Sequence, residues 1–416
     1  MEVLRRHAVW IAYAAALLLA PQLLRGSQAV NLMSQMAIAI VACLSYNVLL
    51  GQGGMLSFGH AVYSGLAAFV AVHALAAIGQ GWWLPVSLVP AVGGLAGAAA
   101  AVVLGYVTTR KAGTPFAMIT LGIGELVFAL ALMLPEFFGG EGGVSANRTA
   151  GPARWGITYG PQIEVYYLLA TYTFVATVAM YAYTRTPLGR LLEAVRENPE
   201  RVEFIGYSTR RVRYLSFIVA GFFAGIAGGM YAVNFEIATA EVVGSLRSGS
   251  YLLFTFLGGA GTFFGPIIGG VLMVLAGALL SELTQAWLLY LGLIFIGMVM
   301  VAPGGVASLV TANLRLARHG LLRPLLPAYL ALAATAATAL AGLAAMIEMI
   351  YRLQLSTTEG ATLRWAGVAL DAHGVGSWIG AASLLVGGGA LFELARRTFA
   401  VAWGRAQEAI AAGGER

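Results

Sequence analysis

Read by its hydrophobic and polar positions, the chain is a succession of long apolar runs separated by short polar turns. A helix that crosses a bilayer needs about 20 mostly apolar residues. Such runs fall near residues 8–24, 30–50, 57–78, 84–108, 115–134, 164–184, 214–234, 249–263, 265–281, 286–302, 325–350 and 375–395. The two between 249 and 281 are short and broken by glycine. The runs are continuously apolar rather than alternating, which argues against a membrane β-barrel. The expected fold is all-α, a polytopic transmembrane helical bundle. The first run follows Met-Glu-Val-Leu-Arg-Arg in the manner of a signal peptide. No small-residue cleavage site precedes Pro21 and Gln22, so a retained first span within residues 1–29 is favoured.

The apolar rhythm breaks once, between Arg185 and Arg213, where seven arginines and four glutamates fall in 29 residues. Thr186 before Pro187 is a helix cap followed by proline at the first helical position. Leu188, Leu191, Leu192 and Val195 then recur at i, i+3, i+4 and i+7 as one apolar stripe. Arg190, Glu193, Arg196 and Glu197 take the other face, with Gly189 near the start. Asn198-Pro199 repeats the cap signal and opens a second short helix through Glu200, Arg201, Val202, Glu203 and Ile205, which Gly206 is placed to end. Glu197 and Arg201 stand at i, i+4 in the favourable order. A solvated surface loop needs charge but not two capped amphipathic helices in tandem. Docking of a soluble partner accounts for both.

Charge confirms the class. The 416 residues are 59% hydrophobic and only 10% charged, with a formal net charge of +6. With both termini in the cytoplasm, 18 of the 24 basic residues lie on the inner side, leaving Arg25, Arg148, Arg154, Arg247, Arg352 and Arg364 outside. That asymmetry is the positive-inside rule, so the basic balance reports topology and not nucleic acid. Lys111, the only lysine, lies in T-T-R-K-A-G-T, which lacks the glycine turn and hydroxyl of a P-loop. Any ATPase that drives this chain must be another subunit. Cys43 is the only cysteine and the five histidines show no ligand spacing, so neither a disulfide, a metal nor another cofactor is expected. No G-x-S-x-G elbow accompanies Ser57, His60 and Glu125, and no enzyme activity is expected.

Two glycine motifs stand in the two halves flanking the charged loop: L-L-G-Q-G-G-M-L-S-F-G-H (Leu49 to His60) and F-L-G-G-A-G-T-F-F-G-P (Phe256 to Pro266). Glycine-interrupted segments at matching places are the mark of a transporter built from an internal repeat with broken helices. The expected pathway residues are Gly51, Gln52, Gly53, Gly54, Ser57, His60, Gly258, Gly259 and Gly261. The copies run parallel if 249–263 spans, and inverted if it only re-enters. Glu125 adds an ionisable group in mid-segment, which either lines the route or acts as polar glue between helices. Elsewhere, G-x-x-x-G spacings at Gly93/Gly97, Gly221/Gly225, Gly225/Gly229 and Gly261/Gly265 read as close helix packing.

The segment L-G-R-x-x-x-A-x-R-E-N-P-x-x-x-x-x-x-G-Y-S-x-x-R-x-R-Y-L-S-F, running into A-G-F-F-A-G-I-A-G-G, resembles the permeases of branched-chain amino acid ABC importers, the LivM-like family. Both glycine motifs, I-T-L-G-I-G-E-L at 119–126, F-F-G-G-E-G-G at 137–143 and P-G-G-V at 303–306 fit the same family in the same order. The resemblance implies a permease domain over 30–313, paired with a second permease subunit, ATP-binding subunits and a periplasmic solute-binding protein, in the inner membrane. It also implies that Leu188 to Gly206 contact the ATPase, and that the binding protein docks at 135–163 and 235–248. Aliphatic amino acids are the default solute, with urea, amides and aromatic acids open. An ion-gradient-driven secondary transporter is the rival reading, though no paired acid and base stands out in the spans. Residues 314–416 form an extension that the family pattern does not cover, with two further hydrophobic stretches and a polar loop near Gln354 to Asp371.

Overall fold

The structure, a computed structural model, describes residues 2–24, 26–151, 157–320, 322–355, 362–365 and 368–413. Arg25, Arg154 and Arg416, counted in the charge distribution, lie outside the described residues, as does part of the loop after Gln354. The chain forms two compact units, Met1–Leu280 with Ile294–Ser308, and Ser281–Leu293 with Leu309–Arg416.

The helices in order are α1 (Glu2–Leu23), α2 (Ser27–Asn47), α3 (Ala61–Gly79), α4 (Val89–Thr108), α5 (Thr114–Met133), the short α6 (Pro135–Phe138) and α7 (Gln162–Arg185). They continue as α8 (Pro187–Glu197), α9 (Pro199–Phe204), α10 (Thr209–Phe235), α11 (Ser245–Gly258), α12 (Gly265–Leu275), α13 (Ser281–Leu283), α14 (Trp287–Val301) and α15 (Gly305–Arg318). The last two are α16 (Leu322–Leu355) and α17 (Val375–Gly413). Among the described residues eight helices are long and apolar enough to cross a membrane, or nine if the bent pair after Trp287 is one span. This is a multi-pass membrane protein.

In the first unit α2, α3 and α10 are buried on most sides, while α4, α5 and α7 keep outward stripes. Glycine explains the extensive contact between α4 and α10. A methyl group added at Gly97 would lie 2.6 Å from the Gly225 Cα, and one at Gly93 would lie 2.8 Å from the Gly229 Cα. Gly93 and Gly97 of α4 therefore meet Gly221, Gly225 and Gly229 of α10 backbone to backbone, as the G-x-x-x-G spacing predicts, while Ala101 packs its methyl on Gly221 and Gly105 receives the Phe217 ring. The Gly261/Gly265 pair does not behave this way. Gly261 lies in the turn after α11 with open space around it, so its spacing marks a reversal and not a helix contact.

The apolar runs at 249–263 and 265–281 form short helices, α11 of 14 residues and α12 of 11 residues. Helix α11, about 21 Å long at 1.5 Å per residue, falls short of the roughly 30 Å apolar core. The 3-10 turn before it is packed inward, with Ala240, Val242 and Val243 buried against α3 and α5. That part of 235–248 is interior and is not displayed as a docking surface. At the same end, β1 (Val144–Ser145) pairs antiparallel with β2 (Ile237–Ala238). Arg148 clasps this end. Its guanidinium donates to the Tyr159 carbonyl (2.7 Å) and to the last carbonyls of α10 at Val233 (3.2 Å) and Asn234 (3.1 Å). These are C-terminal carbonyls left free by the helix, and a cation suits them.

In the second unit α16 and α17 pack antiparallel at Gly342 and Gly388, where a methyl at Gly388 would lie 2.8 Å from the Ala339 Cα. Where the sequence suggests a polar loop, β3 (Thr362–Trp365) and β4 (Val368–Asp371) make a hairpin. Two acids of this unit have partners within it. The Glu348 carboxylate accepts from Thr284 Oγ1 (2.6 Å) and the Tyr290 hydroxyl (3.1 Å), and Glu393 pairs with Arg396 (2.8 Å) and Arg397 (3.1 Å).

Candidate functional site

The charged loop folds as its caps dictate. Thr186 Oγ1 accepts from the Gly189 amide (3.2 Å), Asn198 Oδ1 from the Arg201 amide (3.0 Å) and Ser208 Oγ from the Arg211 amide (3.4 Å). Pro187 and Pro199 open α8 and α9, and Gly206 turns the chain with φ 91°. Gly189, Leu192 and Val195 are buried, Leu188 and Leu191 pack beside them, and Arg190, Arg196, Glu197, Glu200 and Arg201 are exposed. Glu197 and Arg201 do not pair. The break at Asn198 separates them into two helices, which removes the i, i+4 geometry, and Arg190 pairs with Glu193 instead at 3.7 Å.

This loop is packed on the first glycine motif. Helix α2 ends in a π turn, Val48–Gln52, which holds Gly51 and a half-buried Gln52. The Met55 amide then turns back to the Leu49 carbonyl (2.9 Å), and the Arg196 Nη1 donates to the Gly51 carbonyl. A methyl at Gly53 would lie 3.1 Å from Leu192 Cδ1, and one at Gly54 would lie 2.8 Å from Arg196 Cγ. Gly54 also has φ 61°, a left-handed conformation costly to L side chains. Gly54→Ala is expected to lower stability by about 1–2 kcal/mol, read as a lower thermal midpoint in detergent. Gly261→Ala, in open space, is the matched control, and equal midpoints would refute the strain assignment.

The second motif reaches the same place. Gly51 has no room for a Cβ between the Ala260 carbonyl and the Asn47 side chain, whose Cγ would lie 2.9 Å away. Gly258 faces Gly269, and Gly259, with φ 118°, approaches the Gly304 carbonyl. The two motifs that the sequence sets more than 200 positions apart thus meet beside α8.

Residues 53–60 are non-helical yet largely buried, so their polar groups need protein partners. The Ser57 carbonyl accepts from the Tyr46 hydroxyl (2.9 Å), the Phe58 amide donates to Thr120 Oγ1 (3.1 Å) and the Ala61 amide donates to Ser248 Oγ (3.0 Å). His60 is fully buried, with its Nε2 2.9 Å from Ser45 Oγ. The Ser45 hydroxyl has one hydrogen and donates it to the Ala42 carbonyl (2.8 Å), so Nε2–H is the donor to Ser45. The His60 Nδ1 is left as a bare buried acceptor, and Ser57 Oγ is also without a partner. The bond of the Ala61 amide to Ser248, in the first turn of α11, and the approach of Gly65 to the Val242 carbonyl set the start of α3 against α11 and the 3-10 turn that precedes it. That turn carries no glycine motif, and the sequence patterns did not mark it.

Glu125 is exposed on the outward face of α5, in line with Met118, Gly122, Leu126 and Met133, while Thr120, Gly124 and Val127 face in. It does not join His60 and Ser57 within this chain. The sequence reading did not single out one surface: Phe204 is 89% exposed, Ile205 64% and Tyr207 50%, an apolar patch at the end of α9. The available signal was the apolar pair Phe204-Ile205 just before the terminating glycine.

The sequence profile of the family described as branched-chain amino acid transport system, permease component, matches residues 28–303. The chain is 29% identical over 302 residues to the high-affinity branched-chain amino acid transport system permease protein LivM of Escherichia coli K12, covering 67% of this chain and 70% of that one. Its identity to the protein of the same name from Salmonella typhimurium is 28% over 313 residues, 70% of this chain and 72% of that one. A shorter match, 29% over 69 residues, joins 17% of the chain to 22% of the guanosine ABC transporter permease protein NupQ of Bacillus subtilis. No solved structure shows a significant match. The profile match stops before α15, so α16 and α17 lie beyond it.

Proposed function

Because the chain belongs to the branched-chain amino acid transport system permease family, we propose that it forms half of a solute pathway in the bacterial inner membrane, driven through α8 and α9 by a separate ATP-binding subunit. The observation that carries this reading is the two-sided loop. One side grips the broken segment at Gly51, Gly53 and Gly54, and the other leaves Phe204, Ile205 and Tyr207 uncovered. A soluble motor that moves α8 would move the π turn and the 53–60 segment with it, shifting the pathway between its inward and outward states.

Branched-chain aliphatic amino acids are the solutes favoured, since the relatives with that function match about two thirds of the chain and the nucleoside permease only a short piece. The arginine-rich loop and the N-terminus share the cytoplasmic side, as Trp10 of α1 packs on Tyr181 near the end of α7. A solute-binding protein docks at the opposite end, around β1, β2 and the Arg148 clasp. A charge on a lipid-facing helix is expensive. Glu125 therefore supports placing the outward face of α5 against a second permease subunit and a wet route between the two.

The test is a tagged purification from native membranes. Recovery of an ATPase with nucleotide-binding motifs, lost in Phe204→Asp/Ile205→Asp while the second permease is retained, is the expected result. An ATPase that stays bound to that variant would remove α9 from the interface.

A further inference from the structure

We propose that Arg110 and Arg210 form a binding site for the phosphate headgroup of an anionic phospholipid, whose acyl chains lie along the outward stripe of α4. Arg110 follows the end of α4 and Arg210 stands in the first turn of α10. Their guanidiniums lie over one ring, that of Tyr106, at 4.6 and 5.3 Å from its centroid. The two charges are thus within about 10 Å of each other, roughly one Debye length at 0.1 M salt. Among the described residues no carboxylate pairs with either. Glu203, in the adjoining loop, accepts from Thr209 Oγ1 at 2.7 Å. Lys111 and Arg211, both exposed, add to the same sign. Unpaired cations this close repel, and an anion bound beside both relieves that repulsion.

The surface below the arginines selects the kind of anion. On α4, Leu95 (66% exposed), Val102, Val103 (68%) and Val107 form an apolar stripe opposite the glycines that meet α10. Tyr106 and Tyr214 stand at its top, edge to face at 6.3 Å, with the Tyr214 hydroxyl donating to the Val102 carbonyl at 2.9 Å. An apolar helix face, an aromatic pair at the interface and a basic pair just beyond repeat the layers of a phospholipid from acyl chain to headgroup. Free phosphate would leave the stripe uncovered, and an acidic protein surface would use the arginines without the chains. The inference needs only that the chain spans the membrane, and it does not depend on the solute or on the ATPase.

The experiment purifies the assembled transporter in mild detergent with added phosphatidylglycerol and phosphatidylethanolamine, and quantifies each retained lipid by mass spectrometry. The wild type should keep phosphatidylglycerol selectively, and about 1 M salt should reduce that retention through screening. Arg110→Gln/Arg210→Gln should lower phosphatidylglycerol retention by roughly 25-fold, the product of about 5-fold for each near-surface arginine. Phosphatidylethanolamine should be unchanged. Arg110→Lys/Arg210→Lys should keep most of the selectivity, and Arg396→Gln/Arg397→Gln should keep all of it. Equal retention by the glutamine variant, or wild-type retention indifferent to salt, overturns the site. Loss of a partner subunit from the glutamine variant with phosphatidylglycerol still bound would assign the arginines to an acidic protein surface instead.

Discussion

Leucine in place of Gly97 is expected to cost about 3 kcal/mol or more, the upper end of overpacking penalties. The cause is that the methyl group alone meets backbone. It would lie 2.6 Å from the Gly225 Cα and 2.9 Å from the Gly225 nitrogen, and neither can turn away as a side chain can. The α4–α10 contact would have to open along its length, and with it the burial of α10 against α3. Thermal unfolding of the purified chain, with size-exclusion of the detergent complex, reads the effect. Gly122→Leu is the control, since Gly122 faces outward on α5 with nothing within 4 Å. A Gly97→Leu protein that unfolds at the wild-type midpoint would show that the two helices are not in backbone contact.

The second large effect is on transport. Arg196→Glu is expected to bring solute uptake to background while the protein still inserts and the assembled complex still hydrolyses ATP. The guanidinium donates to the Gly51 carbonyl at the point where the α2 backbone ladder ends. A hydrogen bond from a charged group contributes about 1.5–3 kcal/mol, and glutamate would set a carboxylate against that carbonyl. Motion of α8 would then no longer be tied to the π turn. Arg196→Lys, which keeps the charge, should retain part of the uptake, and deletion of 190–206 should abolish it. Uptake and ATP hydrolysis measured together in proteoliposomes decide the matter. Normal uptake by Arg196→Glu would sink the coupling role, whereas loss of hydrolysis as well would point to failed assembly.

The main features of α8 and α9 were legible in the residues themselves. Thr186-Pro187 and Asn198-Pro199 are local signals, and local hydrogen bonds realise both. The apolar runs were legible for the same reason, since a backbone in hydrocarbon must satisfy itself within a helix. The failures came where packing against distant segments, and not local spacing, decides the outcome. Nothing near 240–244 announces that it is buried against α3 and α5, and 249–263 reads as a span because it is apolar. Glu125 shows the same limit: its mid-segment position is written in the chain, but its outward direction is not.

What the sequence determined by itself was the class of molecule, most of its helices and their caps, and the glycines that allow close approach. Each follows from spacing within one segment or from a tally of charge. Only the tertiary structure decided that Arg196 reaches Gly51, that Gly51 lies against Ala260, and that Arg110 and Arg210 share one tyrosine ring. The reason is physical. Helix formation depends on neighbours within a few positions, whereas these contacts join residues 100 to 209 positions apart and depend on how whole helices pack.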